Sequence, residues 1–111
     1  MKTVVVINSD TMGKGNDELG ELIMGNFFNQ LLAVSPLPDA VIFYNAGVKL
    51  LTAEAPVSGA LDALFKRGVD LIACGTCVTY FKLGDKLDNG RVSNMQEVVS
   101  ILMNTDKVVT I

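Results

Sequence analysis

Cys74 and Cys77 are the only cysteines of the chain, and only Gly75 and Thr76 stand between them in the stretch DLIACGTCVTYFKLG. Two thiols at this spacing can form a redox pair, clamp a metal or carry sulfur. Their position narrows the choice. The apolar run Leu71–Ala73 leads in as a strand, so Cys74 falls at the strand end and Cys77 at or near a helix start. Unpaired N–H groups and the partial positive charge of a helix start favour a thiolate. A free cysteine titrates near ~8.5, and such surroundings can bring it to ~3.5–7.5. The thiolate is the nucleophile. The backbone N–H groups of Gly75, Thr76 and Cys77 are the expected stabilisers of an anion there.

Other uses of the pair have less support. Both cysteines could be small buried apolar residues, since free cysteine is often buried. Structural zinc takes four N or S ligands, and the chain offers two cysteines and no histidine. The lack of histidine also removes histidine-based triads and general bases. The motif CGTC resembles that of thioredoxins, but there the pair comes early and a proline lies downstream beside it. Here Pro36, Pro38 and Pro56 all precede the cysteines. Disulfide chemistry on another fold stays open.

The elements that must position the thiols alternate in type. Thr3–Ile7 is a β-branched run and reads as a buried strand. A helix follows, with apolar residues at 19, 22, 23, 27 and 31 on one face and Asn16 or Asp17 as its cap. Gly20 and Gly25 within it suggest close packing. Ala40–Tyr44 is a second strand, followed by the long loop NAGVKLLTAEAP. Val57–Lys66 reads as a helix ended by Gly68, and Val69–Ala73 as the third strand. Cys77–Leu83 makes one or two helical turns, and a turn-rich stretch with room for a minor strand comes next. Ser93 or Asn94 caps a helix to Met103, and Lys107–Ile111 is the last strand. This order predicts one α/β domain over 1–111: a mostly parallel sheet of about five strands in a three-layer α/β/α arrangement.

In such a sheet the loops leaving at Asn8, Asn45 and Cys74 share the carboxyl edge, where open α/β sheets bind ligands. The first loop, NSDTMGKGND, has the polar, glycine-rich look of a phosphate cradle. Yet it spells no G-x-G-x-x-G, and Asp10, Asp17, Glu18 and Glu21 surround one Lys14. The expectation is a wall or lid over the thiol, lined by Asn8, Ser9, Asp10, Met12 and Gly13. Asn45 reaches the same edge, and Lys49 could place a cation near the thiolate.

Half of the 111 residues are hydrophobic and 19% are charged, below the ~25% usual for soluble domains. With little charge to cover a small globule, a homo-oligomer is expected. A net charge of −3 with scattered basic residues argues against nucleic acid as a partner. No apolar run approaches the ~18 residues of a membrane span, and the four apolar residues before Asn8 are too short for a signal-peptide core. The expected compartment is the cytoplasm, where paired cysteines more often act than staple. No cofactor or metal is called for by any motif.

Four stretches, VVVINSDTMGKGNDELG, FYNAGVKL, ACGTC and NMQEVVSILMNTDKVVTI, run in order over nearly the whole chain. Together they resemble the DsrE/DsrF-like superfamily, closest to the C-terminal domain of YedF-type proteins. The resemblance implies a three-layer α/β/α fold, frequent oligomers and, in sulfur-relay members, a persulfide on a cysteine just after the third strand, the place of Cys74. Those members often have an Arg-Gly shortly downstream, where this chain has YFKLG. YedF-type proteins usually carry a TusA-like domain in front and are associated with selenium metabolism. The resulting expectation is a sulfur or selenium carrier or transferase, loaded on Cys74 and assisted or resolved by Cys77. A TusA-like carrier or a cysteine desulfurase would be its partner. A binding module with structural cysteines and a thiol–disulfide oxidoreductase are the alternatives.

Overall fold

The strands Thr3–Ile7 (β1), Ala40–Phe43 (β2) and Asp70–Cys74 (β3) are buried on both faces, which is why they read as unbroken apolar runs. The computed structural model describes residues 1–111. Two further strands, Arg91–Ser93 (β4) and Lys107–Thr110 (β5), complete a five-stranded sheet in the order β4-β3-β2-β1-β5. Every pairing is parallel.

The helices are Asp17–Leu31 (α1), Ser58–Lys66 (α2), Gly75–Tyr80 (α3) and Met95–Asn104 (α4). The first four strands advance in one direction across the sheet, and the last connection runs back from one edge to the other. Crossovers of one hand then place α4 on the opposite face from the earlier helices. The packing agrees. Val5, Ile7, Val41, Phe43, Leu71 and Ala73 pack with Phe28 of α1 and with Leu61 and Leu64 of α2. Val4, Ala40, Ile42 and Ile72 pack with Val98 of α4. The outer side of α4 leaves Met95, Val99 and Met103 exposed, Met103 at 79%.

Three sequence expectations change. The face of α1 is turned: Gly20, Met24, Phe28 and Leu31 are buried, while Leu19 and Leu22 are exposed. The cause is the preceding loop, since the Met12 N–H donates to the Gly20 carbonyl at 3.0 Å. A Cβ on Gly20 would lie 2.9 Å from Thr11 Cβ, whereas one on Gly25 would meet nothing within 4 Å. The stretch after β2 is no open loop. Asn45–Leu51 forms a 3-10 helix whose Val48, Leu50 and Leu51 enter the core. The short helix after β3 begins at Gly75 rather than Cys77. The caps follow the sequence: Asn16 accepts from the Leu19 N–H at 2.8 Å and Asn94 from the Glu97 N–H at 2.9 Å. Gly68 ends α2 with φ +92°.

Candidate functional site

The two thiols sit where β3 passes directly into α3. Cys74 is the last residue of β3, paired with Ser93 of β4, and Gly75 starts the helix. That junction tolerates no side chain. A Cβ on Gly75 would stand 2.6 Å from the Ser93 carbonyl oxygen. On the other side, the 3-10 helix lies hard on the end of β1, where a Cβ on Gly47 would be 2.4 Å from the Ile7 carbonyl oxygen. These two contacts seat α3 and the 3-10 helix beside one another over the carboxyl edge.

Cys77 faces the gap between them. Its Sγ accepts a hydrogen bond from the backbone N–H of Asn45 at 3.0 Å. Asn45 makes this possible by adopting φ +51°, a left-handed conformation that asparagine tolerates better than most residues. Cys77 opens into a cavity of about 380 Å³ that it lines with Asn45, Thr76, Tyr80 and Phe81. Cys74 lies behind it, 2% exposed. Both cysteines are free thiols.

The electrostatics reverse the expectation of a depressed thiol. Burial pushes the Cys77 thiol above its ordinary value. The Asn45 N–H acts in the opposite direction but does not prevail, and the adjacent Cys74 sulfur adds to the upward shift. The donor at Cys77 is thus the Asn45 N–H from a facing element, where sequence reasoning looked to the Gly75–Cys77 backbone.

The remaining expected residues separate into those at the thiol and those elsewhere. Asn45 and Thr76 share the Cys77 cavity, and Gly75 forms the junction. Lys49 lies one turn along the 3-10 helix, its Nζ 4.5 Å above the centre of the Phe81 ring. The cavity it lines is a neighbouring one of about 560 Å³, with Phe81 as the shared wall. The first loop, expected as a wall or lid over the thiol, lines other cavities than that of Cys77. Asn8, Ser9 and Gly13 line a separate crevice with Thr110 and Ile111 beside β5, and Met12 lines another with Phe27 and Leu31 of α1. Asp10 belongs to the same loop and lines no cavity with Cys77. Strand order agrees with this: β2 lies between β1 and β3, so two strand spacings, roughly 9–10 Å, separate the end of β1, where the loop begins, from the end of β3.

Tyr80 and Phe81 were missed as cavity residues. They follow Thr76 and Cys77 by four residues each, so helical spacing alone places them on the same face. No three or more His, Cys, Asp or Glu side chains converge in a way that could hold a metal ion. No helix is long and apolar enough to cross a membrane.

Known proteins share this architecture. The chain is similar in structure to the ychN protein of E. coli, at 18% identity and TM-score 0.71 over 100% of both chains. It is similar to MTH1491 of Methanobacterium thermoautotrophicum, at 21% identity and TM-score 0.66 over 96% of this chain and 97% of the other. BT1422 of Bacteroides thetaiotaomicron gives 17% identity and TM-score 0.70 over 99% and 95%. At these identities the likeness speaks for the fold. No curated protein matches the chain. The profile of the DsrE/DsrF-like family, however, matches residues 1–111 in full. The chain belongs to the DsrE/DsrF-like family.

Proposed function

We propose that the protein is a sulfur or selenium carrier or transferase that holds the transferred atom on its cysteine pair. The observation that carries this reading is the arrangement of Cys77: an open thiol, an N–H donor at 3.0 Å and a second, buried thiol behind it. Family membership supports it, since sulfur relay is a recurrent activity among DsrE-like proteins.

The geometry favours Cys77 over Cys74 as the acceptor, in exchange for the assignment drawn from sequence. A donor must bring a sulfane sulfur in line with the attacking sulfur, and Cys74 at 2% exposure offers no such approach. The Cys77 thiolate would attack the outer sulfur of a donor persulfide. The donor's S–S bond breaks, and the donor thiolate leaves with the electron pair. A partner thiolate then takes the same sulfur from the Cys77 persulfide, restoring the thiol with no net oxidation. Cys74 supports the site from behind.

The test is to incubate reduced protein with a cysteine desulfurase and cysteine, then map any added sulfur by intact mass and peptide analysis. One sulfur on Cys77 is expected, lost in Cys77→Ser and kept in Cys74→Ser. Loading that persists in Cys77→Ser would return the role to Cys74. Absence of loading on alkylatable thiols, with a TusA-like donor supplied as well, would end the carrier reading.

The placement of two free thiols three residues apart across one strand-to-helix junction favours a second reading, thiol–disulfide exchange. It requires a Cys74–Cys77 disulfide that closes and opens reversibly across a glutathione redox titration.

A further inference from the structure

The cavity next to the thiol carries unpaired positive charge. It measures about 560 Å³ and is lined by Lys49, Thr52, Ala53, Glu54, Phe81, Leu83 and Lys86. The ion pairs of the chain are Lys66 with Asp62 and Arg91 with Asp70 and Glu97. Lys49 and Lys86 therefore have no carboxylate partner, although Glu54 shares the cavity wall. Lys49 is held by the Phe81 ring instead, a contact that fixes an ammonium without neutralising it. In a protein of net charge −3, a concavity lined by two lysines without ion pairs and one glutamate keeps a net positive charge and forms a local anion site.

This cavity is coupled to the thiol by two parallel contacts between the same two elements. Asn45 of the 3-10 helix meets Cys77 of α3, and four residues on in each, Lys49 meets Phe81. Phe81 lines both cavities. A molecule lying across Phe81 would set one end at Cys77 Sγ and the other among the lysines. The two volumes fall in the range of cavities that hold small organic ligands, ~300–1,000 Å³.

We infer that the sulfur donor is a small, peptide-sized thiol persulfide bearing carboxylates, bound through Lys49 and Lys86 with its sulfane sulfur at Cys77. This rests on the carrier reading and specifies its substrate class. The step balances as thiol plus persulfide. The Cys77 thiol gives its proton to solvent, and its sulfur attacks the terminal sulfur of the donor. The donor's S–S bond breaks, and the released donor thiolate takes up a proton. The products are the Cys77 persulfide and the free donor thiol.

The experiment compares glutathione persulfide with its diethyl ester, whose carboxylates are masked, at limiting concentration, reading the initial rate of persulfide formation on Cys77 by mass spectrometry. The charged donor should load the wild-type chain faster by about tenfold, the scale of one to two exposed ion contacts. The advantage should shrink as salt rises. In Lys49→Gln/Lys86→Gln the ratio of the two rates should fall toward one, while Lys107→Gln on β5 should keep it. Equal rates from the two donors on the wild-type chain, or an undiminished ratio in the double variant, would overturn the donor class and leave the carrier reading intact. Loading from neither donor, nor from a protein persulfide, would overturn both.

Discussion

The backbone N–H of Asn45 points at Sγ of Cys77 from 3.0 Å, across the gap between the 3-10 helix and α3. This bond depends on backbone conformation rather than on the Asn45 side chain. Asn45→Gly keeps both the N–H and easy access to φ +51°. It should leave thiol reactivity and stability nearly unchanged. Asn45→Val disfavours the left-handed conformation by about 1–2 kcal/mol and should lose stability by that amount in urea unfolding. As the N–H swings away, the Cys77 thiol should also titrate higher, read from the pH dependence of its alkylation.

The upward shift at Cys77 has its own signature. Burial is the largest cause, and the Cys74 sulfur adds to it. Alkylation of Cys77 should therefore rise with a midpoint above that of a free cysteine and run slower than it at neutral pH. In Cys74→Ala the midpoint should fall, because the sulfur that disfavours the thiolate is gone. The linkage sign follows. A folded-state thiol that holds its proton more tightly than the unfolded chain stabilises the fold below the ordinary thiol value. That contribution is lost as pH rises through the higher folded value. Urea midpoints should decline at alkaline pH, and less so in Cys74→Ala. A Cys77 midpoint at or below that of a free cysteine would contradict this account.

How much of this was legible in the sequence differs from element to element. β1, β2 and β3 were readable because strands buried on both faces show unbroken apolar runs. The Asn16 and Asn94 caps were readable because their chemistry is local. The 3-10 helix at Asn45–Leu51 was not, since its Gly47 is dictated by the Ile7 carbonyl, a contact distant in sequence. The rotation of α1 depended on Gly20 receiving Thr11 and Met12. At the site, the cysteine pair and the strand-to-helix junction were visible in the sequence. Which thiol faces solvent was not, because it depends on Cys74 pairing with Ser93 of β4 and on the facing 3-10 helix. The direction of the first loop depended on β1 lying between β2 and β5, a non-local fact.

The glycines separate into those that the site requires and one that it does not. Gly47→Ala and Gly75→Ala would each drive a Cβ into a backbone oxygen, at 2.4 and 2.6 Å. Each should cost about 1–3 kcal/mol, the range for overpacking, with Gly47→Ala the worse because strand β1 cannot withdraw. Gly75→Ala should also alter Cys77 alkylation, since α3 must move off β4. Gly25→Ala meets nothing within 4 Å and should gain about 0.5–1 kcal/mol from helix propensity. Urea unfolding of the three variants tests the order.

Arg91 binds β4 to its neighbours and so holds the strand against which Gly75 packs. Its guanidinium takes both oxygens of Asp70 at 3.0 Å and both of Glu97 at 2.8 Å, and Ser93 Oγ also donates to Glu97. Arg91, and next Ser93, bring the Glu97 carboxyl down to about 2 from its ordinary 4.5. A depressed carboxyl stabilises the fold above its unfolded value, and the effect is lost as pH falls toward the folded value. Thermal midpoints should thus decline between pH 4.5 and 2. Arg91→Met should lower the midpoint at pH 7 and flatten that acid decline, because the cation that holds Glu97 ionised is gone. It should also raise Cys74 alkylation by loosening the β4 edge at Ser93. An acid decline that stays as steep in Arg91→Met would show that other carboxylates govern it.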